Sequence, residues 1–427
     1  MEVDAEALFA PGGPLAAEVP GYEPRPQQIR MAQAVRAALE DGTRLAVEAP
    51  TGVGKSLAYL LPGALWAVST ERRLIVSTHT RALQEQLVEH ELPVVAGVLA
   101  RLGVKLRYAL LMGADNYLCV QRLARARREP GLFEGPSGDR ATERLWAWAQ
   151  SAGTGLRSKL PAPVASGLWG RISRDPDLCL GAASPYWQSC LYRKDREAAE
   201  RSHVLVVNHA LLLSNARLPS YDALIIDEAH NLEDAAMNRF GLTASSGRWA
   251  RALDDISSPE GKNGFLGRIG GRQESEGVEA AVEAVKQANS DGAKFFAELG
   301  ASHGLQASRP SVGEHVIATR RLDPAKLPPS PVPALKELAD RLIHLEALCP
   351  SPEEGAELAG HVQKLSAMAA ELESILEASG PEWARWVAVP PGRLELCAAP
   401  LEAAERLRET VFGRGLPAVL TSATLAS

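Results

Sequence analysis

The sequence predicts an α/β protein: a parallel sheet carrying a phosphate-binding loop, interrupted twice by segments of different character. Three observations predict it. A short apolar strand, Leu45–Val47, runs into Glu48-Ala49-Pro50-Thr51-Gly52-Val53-Gly54-Lys55-Ser56 and then into an apolar helical stretch from Leu57 to Val68. A second apolar strand from Ala223 ends in Asp227-Glu228-Ala229-His230. Between them, and again after about residue 240, the alternation of strands and helices stops.

Strand, glycine-rich loop, Lys-Ser and helix are the parts of a phosphate cradle. Gly52 and Gly54 let backbone N–H groups converge on phosphate oxygens, and the following helix adds its N-terminal dipole. Thr51 and Val53 complete the loop, and Lys55 brings a mobile positive charge to the β- and γ-phosphates. The Ser56 hydroxyl is a Mg²⁺ ligand. Ala49 stands where the general pattern has its first glycine. A plain turn between a strand and a helix would need only part of this pattern.

Residues 1–20, rich in Ala, Gly and Pro, read as a flexible leader. A helix then opens near Gln27 and runs to Leu39. Gln28 lies about twenty residues before the loop, where its amide suits adenine, which needs a donor and an acceptor together. Arg25 is placed with it at the nucleotide. Arg73–Ser77 reads as a buried strand running into Thr78-His79-Thr80-Arg81-Ala82-Leu83-Gln84. Either Thr78 or Thr80 can cap the helix there, and the same polar groups can hold a phosphate of a bound strand. Leu106–Leu111 is a third strand.

From 116 to about 201 the chain carries fourteen basic and nine acidic residues, while the whole chain has a net charge of −6. The overall charge argues against a general polyanion binder, but this segment is a local basic surface for a phosphate backbone. Individual arginines here are as well explained as solvated helix faces. Cys119, Cys179 and Cys190 fall in the same irregular segment. Three thiols in a core-poor insertion suggest a metal or iron–sulfur staple; the alternative is three small apolar residues. Five cysteines, with no basic start or apolar core in residues 1–20, point to a reducing, cytoplasmic setting rather than to disulfides. The run from Leu57 to Val68 is too short to span a bilayer, so no membrane partner is expected.

The rhythm resumes at His203–His209 and at Ala223–Asp227. Carboxylates at the C-terminal end of a sheet strand lie where α/β sheets bind ligands. Asp227 can hold the Mg²⁺ shell, and Glu228 can orient and deprotonate the attacking water. Residues 240–381 read as a helical insertion, with helical periodicity in 278–287, 334–348 and 354–377. Trp383–Val389 and Arg393–Ala398 read as strands, Leu401–Phe412 as a helix, and Ala418–Leu425 as a return to the central sheet.

Taken together, Tyr22…Gln28, Glu48–Ser56, Ser77–Leu87, Asn116–Cys119, Val206–His209, Asp227–His230 and Thr421–Leu425 resemble the first motor domain of the iron–sulfur DinG/XPD type of superfamily 2 DEAH-box DNA helicases. The resemblance implies a RecA-like P-loop NTPase domain in three parts, 21–115, 201–239 and 382–427. An iron–sulfur-type insertion at 116–200 and a helical arch at 240–381 would separate these parts, and the second motor domain would be absent. It implies ATP and Mg²⁺ on Lys55, Ser56, Asp227 and Glu228, and DNA contacts at Thr78, Thr80 and Gln84. Coupling between the two would pass through His230, Ser422 and Thr424. A 4Fe–4S cluster is implied on Cys119, Cys179 and Cys190, with Ser184 standing at the fourth ligand position. A serine there predicts a labile or three-iron cluster, or an insertion without one. The implied activity is ATP-dependent 5′-to-3′ movement on single-stranded or forked DNA, in repair or replication, by a monomer with a second motor domain in cis or trans. The rival expectation is a nucleic-acid-binding or regulatory half-motor without useful turnover of its own.

Overall fold

The computed structural model describes residues 5–50, 52–128, 136–214, 218–258, 263–270, 276–305, 318–378 and 380–424. Ten strands occur among them: β1 (Arg44–Glu48), β2 (Leu74–Thr78), β3 (Tyr108–Leu110), β4 (Val204–Asn208), β5 (Ala223–Asp227), β6 (Leu242–Ser245), β7 (Ala318–Arg321), β8 (Trp383–Val389), β9 (Glu395–Pro400) and β10 (Ala418–Ser422). Six of them form one sheet in the order β1-β10-β5-β2-β4-β3, and every pair is parallel. The expected α/β class with a parallel sheet is what the chain adopts.

Both faces of this sheet are covered, which is why β2 and β5 read as unbroken apolar runs. Side chains alternate between the faces. Leu74, Val76, Val204, Val206 and Ile225 pack with the helices Pro26–Glu40 and Lys55–Ser69. Ile75, Leu205, Val207, Leu224 and Ile226 pack on the other side with Leu211, Leu232 and Ala236. Each such side chain contributes about 1.5–3 kcal/mol by leaving water. The register places the C-terminal ends of β1, β10, β5, β2 and β4 along one edge, with Glu48 level with Ser422 and Thr421 level with Asp227.

The leader expected at 1–20 is not loose where the structure describes it. Ala5–Phe9 and Pro14–Glu18 are short helices. Their Leu8, Phe9 and Leu15 are buried in the first core, and Glu18 meets Arg101 at 2.9 Å. Three well-placed apolar side chains outweigh a composition that resembles a linker.

The segment after β3 folds around Leu118, Leu123, Leu145, Trp169, Ile172 and Leu191. The segment after β5 packs the helices Ser246–Ile256, Glu276–Ser302, Val332–Ile343 and Pro352–Glu377 onto a second sheet of order β6-β9-β8-β7. Ser351 and Glu354 form a reciprocal capping box that starts the helix Pro352–Glu377. This second sheet corrects the expected boundary at 382. β8 and β9 are joined by the short Pro390-Pro391-Gly392 turn, in which Gly392 has φ 74°. Strands joined so closely pair antiparallel, and a wholly parallel sheet cannot accept them. The chain re-enters the central sheet only at β10.

The two inserted segments are tied to each other by charge. Arg125 and Arg268 reach the same Glu357 oxygen at 2.5 and 2.6 Å, and Lys364 meets Asp175 at 2.7 Å. Glu357 is 4% exposed. Burial alone would raise its carboxyl, but the His361 ring beside it and the Arg268 and Arg125 guanidiniums more than offset this and hold it at about 2.

Candidate nucleotide and coupling site

The loop after β1 is shaped by two left-handed glycines, Gly52 (φ 84°) and Gly54 (φ 82°). Gly54 has a second constraint, since a Cβ there would lie 2.3 Å from Gln28 Nε2. Gln28 is 3% exposed; it donates to the Gly54 carbonyl at 3.0 Å and accepts from the Tyr22 hydroxyl at 3.1 Å. The amide expected at adenine is therefore already engaged in bracing the loop. Arg25 is exposed and donates to the Gly52 carbonyl, so it also braces the loop. Thr51 lies outside the described residues. Val53 sits between the two glycines, half-buried.

Lys55 opens the helix and meets Glu228 at 3.3 Å. Glu228 has φ 53°, a left-handed conformation that costs a non-glycine residue about 1–3 kcal/mol and is typically kept where geometry serves a site. Beside it, Asp227 is 7% exposed. One of its oxygens accepts from the Tyr59 hydroxyl at 3.1 Å. The other, Oδ1, is buried with no partner among the described residues. Burial first, and then the charge of Glu228, raise the Asp227 carboxyl to about 6. An orphaned buried carboxylate oxygen of this kind fits a hard cation. Ser56 lies within reach of the same Tyr59 hydroxyl, so the two expected Mg²⁺ ligands converge on one phenol.

Tyr59 was read from sequence only as part of an apolar helical run. The signal was present, because Ser56 and Tyr59 are three apart on a helix and share a face.

From Glu228 the polar chain continues. His230 Nδ1 lies 3.5 Å from Glu228 and 2.6 Å from Ser422 Oγ, and Ser422 Oγ accepts from the Thr424 backbone N–H at 3.3 Å. Ser422 also accepts at its carbonyl from Ala49 N–H, 3.0 Å away at the start of the loop. His230, Ser422 and Thr424 are thus brought together beside the nucleotide site.

Of the three residues expected on DNA, Thr80 alone is exposed, and it caps the next helix by accepting from Leu83 N–H at 3.2 Å. Thr78 and Gln84 are fully buried. Gln84 donates to the Leu111 carbonyl at 3.4 Å, so it holds β3's exit rather than facing a strand. Next to them, Ser77 Oγ lies 2.8 Å from His209 Nδ1, and burial lowers the His209 imidazole to about 4. It is a neutral hydrogen-bonding group at the end of β4.

Cys119, Cys179 and Cys190 lie near enough for each charge to raise the Cys119 thiol, although burial is the larger cause. Among the described residues no three His, Cys, Asp or Glu side chains are grouped to hold a metal ion. The Ser184 hydroxyl accepts from Tyr186 N–H at 3.2 Å. Three thiols and a committed hydroxyl do not fit a four-ligand cluster as arranged. The basic character of this segment is also partly spent. Arg127, Arg193 and Arg196 pair with Glu143, Glu197 and Glu200, and Arg122 and Arg125 turn towards the second insertion.

A glycine-rich loop on a parallel sheet, an acidic pair two strands away and a His–Ser link to the strand between them define a P-loop nucleotide-binding core. Residues 27–125 match the family model described as DEAD/DEAH box helicase. The chain is homologous to the DinG and YoaA ATP-dependent helicases. It is 36% identical over 259 residues to the ATP-dependent DNA helicase YoaA of Escherichia coli (strain K12), covering 58% of this chain and 40% of that protein. It is 27% identical over 442 residues to the 3'-5' exonuclease DinG of Bacillus subtilis (strain 168), covering 95% of this chain and 46% of that protein. The chain therefore spans less than half the length of these relatives. A solved XPD helicase is 14% identical with a TM-score of 0.48, over 95% of this chain and 59% of that one. No helix among the described residues is long and apolar enough to cross a membrane.

Proposed function

We propose that the chain is the first motor domain of an ATP-dependent DNA helicase of the DinG/YoaA type, binding Mg-ATP on its own sheet and single-stranded or forked DNA across it. The observation that carries this is Asp227, buried with one unpartnered oxygen beside the Lys55–Glu228 ion pair. Mg²⁺ neutralises phosphate charge when bound, and Ser56 and Asp227 are the residues that would hold it. Lys55 would leave Glu228 for the incoming phosphates. That frees the Glu228 carboxylate to orient water and take its proton. The N–H groups around Gly52 and Gly54 would cradle the phosphate oxygens. His230, in contact with both Glu228 and Ser422, would report the nucleotide's state to Ser422 and Thr424. By the same reading Thr80 is a DNA contact, while Thr78 and Gln84 support it from below.

Movement would run 5′ to 3′ and serve repair or replication, in a monomer in a cytoplasmic setting. A second motor domain, in cis or trans, would supply the arginine that completes the ATP site, whose absence costs roughly a thousandfold or more in rate. The motor domain would comprise 21–115, 201–239 and the stretch after β9, with 382–400 belonging to the arch.

A DNA-stimulated ATPase assay and a strand-displacement assay on a 5′-tailed duplex test this. The chain should bind ATP and single strands but unwind only when a second motor domain is joined after Ser427. Robust unwinding by the isolated chain would overturn the two-domain mechanism, and failure to bind ATP would overturn the site.

A further inference from the structure

Away from the nucleotide site, an open groove of about 1280 Å³ runs beside the free edge of the second sheet. Among the described residues β7 is that edge, pairing only with β8, and all four of its residues are exposed. Arg320 and Arg321 on β7, Trp383, Arg385 and Trp386 on β8, and Leu401 line the groove. Arg321 stands opposite Trp386 in the ladder, so these two side chains share a face, while Arg320, opposite Val387, and Trp383 lie on the other side of the edge. Trp383 carries the Arg406 guanidinium 5.9 Å from its ring centre, and Leu401 is 61% exposed.

Among the described residues none of Arg320, Arg321 and Arg385 has a carboxylate partner. Arg320 donates to the neighbouring Thr319 carbonyl at 2.9 Å, and Arg385 to the Ile375 and Leu376 carbonyls at 3.4 and 3.1 Å. The one carboxylate lining the groove, Asp323, lies 3.5 Å from Lys326. The Trp386 indole, an exposed leucine and guanidiniums without a carboxylate partner among the described residues form a surface for a polyanion that also presents flat apolar faces. Single-stranded nucleic acid has that chemistry, with phosphates for arginine and bases for indole.

We propose that this groove holds a segment of single-stranded DNA along the edge of β7, with phosphates on Arg320 and Arg321 and a base against Trp386. The inference rests on the reading of the chain as a DNA motor and adds a grip outside its motif residues. From Leu401 the chain passes through one short helical segment to β10 and Ser422, so the grip lies one element away from the coupling residues.

The test is fluorescence anisotropy of a labelled oligothymidylate, titrated with the full chain from low to physiological salt. The double variant Arg320→Ala/Arg321→Ala should lose about tenfold in affinity, and its salt slope should fall by about 1.4, at 0.7 per phosphate contact on a single strand. Arg320→Lys/Arg321→Lys keeps the charges and should keep the slope. Trp386→Ala should weaken binding about fivefold or more through lost stacking. ATP binding, followed with a fluorescent analogue, should be unchanged in all three. Wild-type affinity and slope in the double alanine variant would overturn the proposal. A poly-glutamate peptide that binds as tightly and is lost with the same variant would reassign the groove to an acidic strand added to β7, and so overturn it too. Absence of single-strand binding by the wild-type chain, with ATP binding intact, would overturn both this proposal and the DNA-motor reading.

Discussion

Glu357→Gln removes one charge and almost no volume from the contact between the two insertions. Its carboxyl is held at about 2 in the fold, against an ordinary value of 4.5. A difference of about 2.5 pH units corresponds to about 3 kcal/mol at about 1.36 kcal/mol per unit. Breaking a buried ion pair by removing one partner costs about the same, and here Arg125 and Arg268 would both be left facing an amide. The sign of the pH dependence follows. A depressed carboxyl stabilises fully above its unfolded value and loses that contribution as pH falls through its folded value. The wild-type advantage should therefore be about 3 kcal/mol near pH 7, begin to shrink at about 4.5 and vanish at about 2. Urea denaturation followed by hydrogen exchange in the helices Val120–Arg128 and Pro352–Glu377 measures it. A gap that stays constant from pH 7 to pH 3, or one below about 1 kcal/mol at neutral pH, would refute the assignment of the stabilisation to this charge.

Other outcomes follow from the nucleotide site. Tyr59→Phe deletes a buried hydrogen bond to a carboxylate, worth about 1.5–3 kcal/mol, so ATP binding should require more than tenfold higher Mg²⁺ while the helix stays folded; an unchanged Mg²⁺ titration sinks this role. Glu228→Gln should trap ATP without hydrolysing it, and Lys55→Ala should lose ATP affinity; wild-type turnover by Glu228→Gln would show that the base is elsewhere. Ser184→Cys should raise the iron retained per chain after anaerobic purification, because a thiol is far more readily deprotonated than an alcohol; a wild-type chain that already holds a stoichiometric, air-stable four-iron centre contradicts it.

The parallel sheet was legible because buried strands and loop glycines are local patterns. β5 begins and ends where the apolar run does, and Gly52 and Gly54 announce the loop's backbone directly. The membership of β8 and β9 was not legible, since an apolar strand of this length suits either sheet and only the partner decides. Side-chain direction was hidden for the same reason. Gln28 and Gln84 are polar residues at expected positions, but each faces inward to a carbonyl that belongs to a distant stretch of chain. The short helices near the N-terminus failed on composition, which counts residues and ignores that Leu8, Phe9 and Leu15 meet a ready apolar wall.

Among the described residues β1 has one neighbour in its sheet, and that neighbour is β10. During synthesis the strand that carries the phosphate loop is made early, yet it cannot be zipped into the sheet until β10, far downstream in the chain, has left the ribosome. At about 5–20 residues per second that delay is on the order of half a minute. For this interval the edge of β5 that will receive β10 is open, and Leu45 and Val47 lack their final packing. Competence to bind nucleotide would thus arrive in a single step, once β10 has emerged. Nascent chains arrested before Ala418 would be the form most in need of a chaperone.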